Sequence, residues 1–170
     1  MAGIIYDFIE VLEEEKECYE GLNTLASYTE TAVVNKNIEF LQEVVAKEEE
    51  FIGRVNLLAK RREALMKDIA MVTGLSHANL TVTEIANKIG IDSELGHKLI
   101  ILRDGIKEQL ELIKKQSELN KQLLTDSLEL VDFMVNAIGT TKGYTHVGNY
   151  NRPGEEMSIQ RQHSIFDQKQ

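Results

Sequence analysis

Three long stretches of the chain place apolar residues every three or four positions, the spacing that aligns side chains along one face of a helix. The first predicts a helix over about 2–33, with Ile5, Phe8, Leu12, Tyr19, Leu22, Ala26 and Val33 facing inward. Ile4, Val11, Cys18, Leu25 and Ala32 widen that stripe enough to pack against two neighbours. The second predicts a helix over about 37–72, whose seam reads Ile38, Leu41, Val45, Glu48, Ile52, Val55, Ala59, Arg62, Met66, Ile69. The third, over about 94–138, reads Leu99, Leu102, Ile106, Gln109, Ile113, Gln116, Asn120, Leu123, Ser127, Leu130, Met134. Alternating three and four is the period of a helix lying along partner helices. A helix of roughly 45 residues is about 65 Å long, too long for the interior of a compact globule of this size. The expected fold is all-α: an elongated antiparallel three-helix bundle or coiled coil.

Local punctuation sets the boundaries. Asn35 or Asn37 can cap the second helix, and Thr73-Gly74 stops it. A short insertion follows, in which Thr81 or Thr83 can cap a brief helix over 82–89 that Gly90 can end; Ser93 then caps the third long helix. Gly21 lies inside the first helix, at a cost of about 1 kcal/mol against Ala, and leaves room for a close helix crossing. From Gly139 the periodicity ends. Gly143, Gly148, Pro153 and Gly154 punctuate a polar stretch too poor in apolar surface to offset its ordering entropy. The domain expectation is therefore a helical body over 1–138 and a flexible tail over 139–170, dotted with Tyr144, Tyr150, Ile159, Ile165 and Phe166.

Polar residues interrupt the seams. Glu48 and Arg62 should each meet a polar group of a neighbouring helix or reach water along their stems. Most of the run Glu13, Glu14, Glu15, Glu17 is expected to face water. Gln109, Gln116, Asn120 and Ser127 admit two readings: they fix the register of the bundle, as a buried Asn does in a coiled coil, or they lie where the seam is uncovered until a partner arrives.

Charge and chemistry narrow the function. With 28 acids against 19 Lys and Arg, the chain carries a net charge of −9, which disfavours nucleic acid. The acidity belongs to the helical body, since residues 1–72 hold 15 acids and 8 bases while 139–170 hold 3 and 4. Cys18 is the single cysteine and reads as a buried small hydrophobe. No apolar run reaches membrane-spanning length, and the N-terminus lacks the basic start of a signal peptide, so a cytoplasmic protein is expected. Glu94-Leu-Gly-His97 is a single Glu-x-x-His element, where a di-iron bundle needs two and further glutamates. His77 falls in a loop and His146 and His163 in the tail, where nothing rigid would tune a catalytic group. No catalytic residue, metal site or cofactor is expected. The stretch Thr81–Asp92 has the spacing of the first part of a helix-turn-helix, but the residues after it are too mixed in charge for a recognition helix.

The segment Asn120–Met134, NKQLLTDSLELVDFM, resembles the signature of FlgN-type flagellar export chaperones. The likeness extends to the turn, glutamate run and closing basic residues of YTETAVVNKNIEFLQEVVAKEEEFIGRVNLLAKRREAL, to the short insertion, and to Tyr144 and Gly148 after the last helix; it covers roughly 1–150. The resemblance implies a cytoplasmic chaperone of flagellar type III secretion. Such a chaperone binds hook–filament junction subunits, shields their terminal helices from premature assembly and delivers them to the export gate. It implies a partner surface of Asn120, Leu123, Leu124, Ser127, Leu128, Val131 and Met134, continuing to Tyr144 and Gly148, on a mainly monomeric protein without membrane insertion. A generic coiled-coil adaptor and, less favoured, a helix-turn-helix regulator are the alternatives.

Overall fold

A computed structural model describes residues 2–76 and 80–144, with the side chains of 3–76 and 80–138. Among the described residues the fold is all-α, with four helices: α1 Ala2–Val34, α2 Ile38–Thr73, α3 Val82–Ile89 and α4 Glu94–Tyr144. His77 and the residues from Thr145 onward, Gly148, His146 and His163 included, lie outside the described residues. The chain divides into two units, Met1–Leu130 and Val131–Gln170.

The helix ends follow local chemistry. Lys36 takes a left-handed backbone conformation (φ 55°) in the turn after α1, and the Asn37 side chain accepts the Phe40 N–H to cap α2. Gly74, at φ 71°, closes α2 by donating its N–H to the Ala70 carbonyl. Thr81 and Glu84 form a reciprocal capping box at α3. Ser93 Oγ accepts the Gly96 N–H at the start of α4. At its other end α4 runs past the expected stop near Ile138 to Tyr144, through Gly139 and Gly143. A lone glycine weakens a helix by about 1 kcal/mol but does not end it.

Within the first unit, α1 and α2 are antiparallel. Arg61 reaches Glu10, Arg62 reaches Glu15, and Thr29 donates to Glu48, so residue numbers rise on one helix as they fall on the other. The Phe51 ring lies over Gly21, where any Cβ would run into it. That is the close crossing the glycine allows. α4 runs parallel to α1, through Lys98–Glu13, Asn23–Gln109 and Gln116–Glu30.

The main core gathers where α1 begins, α2 ends and α4 begins. Ile5, Phe8, Leu12, Ile69, Leu99 and Leu102 are buried together, and α3 contributes Ile85 and Ala86. Both inward residues of α3 are committed to this core, and Arg103 of α4 donates to Thr83 beside them. α3 thus closes one end of the helix packing. A smaller cluster of Val11, Cys18 and Leu58 joins α1 to α2. Cys18 is buried there, and burial pushes its thiol pKa up, away from the reactive thiolate.

Glu15 departs from the expectation of a water-facing glutamate run. It is fully buried, with Oε2 accepting from Arg62 at 2.9 Å and Oε1 lacking a hydrogen-bond partner among the described residues. Burial pushes its carboxyl above the usual range, and Arg62 offsets this only in part. Glu13 and Glu14 pair with Lys98 and Arg61 at the surface.

Candidate partner-binding surface

One face of α4 has two fates. From Leu99 through Leu102 and Ile106 it is buried in the core. It then becomes polar and bonds to α1. Asn23 Nδ2 donates to the Gln109 side-chain oxygen at 2.6 Å and to its carbonyl at 3.1 Å. Gln116 Nε2 donates to Glu30 at 2.7 Å and to Asn120 Oδ1 at 3.2 Å. Asn120 Nδ2 donates to the Ala26 carbonyl at 2.8 Å, and the residue is only 7% exposed. These three polar seam positions hold α4 in register against α1. A buried amide meets its hydrogen-bonding needs in one alignment and not in its neighbours.

The ladder also marks where cover ends. Asn23–Gln109 and Glu30–Gln116 both span 86 residues. The Asn120–Ala26 bond spans 94, and Asn120 is the last buried residue of α4 among the described side chains. Beyond it Leu123 is half-buried and the other described side chains of α4 are exposed.

The apolar spacing nevertheless continues. In the first unit Leu123 is half-buried, while Leu124, Ser127, Leu128 and Leu130 are exposed, Leu128 at 66%. In the second unit Val131, Phe133, Met134, Val135 and Ile138 are exposed. Among the described residues Ser127 has no partner across a helix interface; its hydroxyl donates back to the Leu123 carbonyl, a local bond open to any exposed helical serine. Leu123, Leu124, Leu128, Val131 and Met134 therefore offer apolar surface to solvent, whereas Asn120 is engaged inside the chain. Tyr144 is the last residue of α4, with its side chain outside the described residues.

The sequence-based surface omitted Leu130, Phe133, Val135 and Ile138. The signal for three of them was available: Leu128, Val131, Val135 and Ile138 continue the three-and-four spacing, and Leu130 was already on the seam. Phe133 falls off that seam, and only its exposure of 70% draws attention to it.

An exposed run of large apolar residues at the end of a well-packed helix is a physical signature of a protein-binding surface. Among the described residues no group of three or more His, Cys, Asp or Glu is placed to hold a metal ion, and Glu94 and His97 are both exposed at the start of α4. No described helix is long and apolar enough to cross a membrane. No curated protein and no solved structure matches the chain. The family model described as FlgN protein matches residues 1–158, somewhat beyond the likeness read from the sequence, and the chain belongs to this family of flagellar export chaperones.

Proposed function

We propose that this chaperone acts in the cytoplasm on hook–filament junction subunits, holding their terminal helices on the exposed face of α4 until export. The observation that carries the reading is the exposure of large apolar residues of α4 past Asn120: Leu124 and the off-seam Leu128 in the first unit, and Val131 and Met134 in the second. An amphipathic helix laid along such a face buries apolar anchors at three-and-four spacing, the usual mode of helix recognition. Leu123, Leu124, Ser127, Leu128, Val131 and Met134 form the cargo surface. Asn120 sets its beginning by fixing α4 on α1. Residues from Gly139, with Tyr144 and Gly148, form a tail that contacts cargo or the export gate. The chaperone works as a monomer.

Titration of the full chain with purified junction subunits, followed by calorimetry, tests this. Leu128→Asp with Val131→Asp should abolish binding while helicity by circular dichroism stays unchanged; retained binding would remove the face from the reading. A chain shortened to end at Tyr144 should bind more weakly, and undiminished affinity would remove Gly148 and the rest of the tail from the cargo role. Sedimentation separates the chaperone from a coiled-coil adaptor, which would form stable dimers through the exposed seam.

A further inference from the structure

Between the main core and Asn120, the long helices of the first unit stop closing on one another. In the core, Leu99 and Ile106 of α4 share one buried cluster with Ile69 and Ala70 of α2 and with Phe8 and Leu12 of α1. Further along α1 the contacts become pairwise. Phe51 and Glu48 of α2 meet Gly21 and Thr29, while Gln109 and Gln116 of α4 meet Asn23 and Glu30. At about 100° per residue, Leu22 and Val33 fall on the strip of α1 between these two sets, and both are only half-buried. Arg61 pairs with Glu10 and Glu14 on one flank of the α1–α2 contact. The opposite flank of α2, turned to the Leu22 strip, carries Val45 and Ile52, both exposed. On α4, the flank that meets α2 at Leu99 and Ile106 continues with exposed Leu110 and half-buried Ile113. The result is an apolar trough floored by α1 and walled by α2 and α4, wholly within Met1–Leu130.

The two rims of the trough differ in charge. Along α4, Lys107, Lys114 and Lys121 recur every seven residues on the Leu110 flank. All three are exposed, and none makes an ion pair among the described residues. Glu111 and Glu118 lie one row further from the trough. Along the facing part of α2 the rim holds Gln42, Glu49 and Asn56. The bases of that part are on its other flank, where Lys47 pairs with Glu50 and Arg54 lies over the Phe51 ring.

We infer that this trough receives an amphipathic helix of another protein, apolar along one stripe and acidic along the border that meets α4. Walls built from helices, with apolar residues such as Val45 and Ile52 seven apart, accept the side chains of a further helix. Lysines along one rim attract an acidic border and repel a basic one. The inference is separate from the docking proposed on α4 past Asn120 and uses none of those residues.

Two designed 18-residue amphipathic peptides with the same leucine stripe, one with Glu along one border and one with Lys in its place, test this on the full chain. Fluorescence anisotropy at low salt should show about three- to tenfold tighter binding of the Glu-bordered peptide, and added salt should narrow the difference. The net charge of −9 pulls the other way, so a preference for the Lys-bordered peptide would overturn the inference, as would equal binding. Lys107→Glu with Lys114→Glu should cancel or invert the preference. Lys47→Glu with Lys88→Glu changes the net charge equally and should leave most of it in place; a preference that followed this pair instead would assign it to overall charge and overturn the inference. Val45→Asp with Ile52→Asp should abolish binding of the Glu-bordered peptide at unchanged helicity, and Leu128→Asp should not. Binding indifferent to the α2 pair, or lost only in Leu128→Asp, would place the peptide elsewhere and overturn the trough. A chain that sediments alone as a dimer, and as a monomer with Val45→Asp and Ile52→Asp, would give the trough to a second copy and also overturn it.

Discussion

Leu99 and Leu128 lie on one helix, in one type of sequence pattern, and meet opposite environments. Leu99 is fully buried against α1, α2 and α3, and Leu128 is 66% exposed. Residue type does not separate them, although Leu128 lies off the seam, one position past Ser127. Leu99 packs with residues of α1, α2 and α3, whereas burial along α4 ends at Asn120, before Leu128 is reached. Apolar residues that continue past the last buried position of α4 are thus left facing solvent.

The largest expected effect breaks this comparison directly. Leu99→Ala should cost about 2–5 kcal/mol in urea unfolding, the usual range for a leucine removed from a close-packed core. Leu128→Ala should stay within about 0.5 kcal/mol, as for exposed positions without a special role. Similar losses at the two sites would mean that Leu128 is covered in the folded chain, and the contrast would fail.

The polar seam residues sharpen the same boundary. Asn120→Ala removes a buried bond to the Ala26 carbonyl and should destabilise by about 1 kcal/mol, while Ser127→Ala removes only a bond within its own helix and should be near neutral. Hydrogen exchange of α1 near Ala26 should quicken in the first variant and not in the second. Equal effects would place Ser127 in the packed part of α4 and move the end of the cover beyond it.

The covered half also contains a buried acid, unlike the exposed strip, and this gives a pH signature. Glu15 has its folded-state pKa raised above the ordinary 4.5 by burial. Its contribution to stability is fully present below that ordinary value and is lost as pH rises through the raised one. Glu15→Gln keeps an acceptor for Arg62 without the buried charge. It should therefore be the more stable form near neutral pH and flatten the fall in stability between mildly acid and neutral conditions. A steeper fall, or a loss of stability at neutral pH, would show that the Arg62 pairing outweighs the burial.

Which parts of this were legible in the sequence follows from the range of the interactions. Asn37, Thr81 and Ser93 cap their helices through bonds three residues away; Ser93 was readable as a cap, while Asn37 and Thr81 were each one of two candidates beside Asn35 and Thr83. The stripes of α1, α2 and α4 were readable because helical periodicity is local. The burial of Glu15 was not, since it depends on Arg62 on another helix and on the packing around both. The two readings of Gln109, Gln116, Asn120 and Ser127 could not be separated from the pattern either. Partners on α1 engage the first three, while the fourth is exposed and bonds within its own helix. The exposed strip was legible as a family likeness, and its extent became clear only from the burial along α4.

The smallest expected effect lies in the turn after α1. Lys36 takes a left-handed backbone conformation at φ 55°, with the Asn37 N–H bonded back to the Ala32 carbonyl. That conformation costs a residue with a Cβ about 1–2 kcal/mol, while glycine there gains freedom in the unfolded chain at a cost of about 0.5–1 kcal/mol. Lys36→Gly should therefore stabilise by about 0.5 kcal/mol net, a rise in melting temperature of about 1–2 °C for a chain of this size. Partner binding should be unchanged, because the substitution leaves the exposed residues of α4 as they are. A loss of stability would mean that the Lys36 side chain holds the turn, and a change in binding would mean that the turn itself belongs to the partner surface.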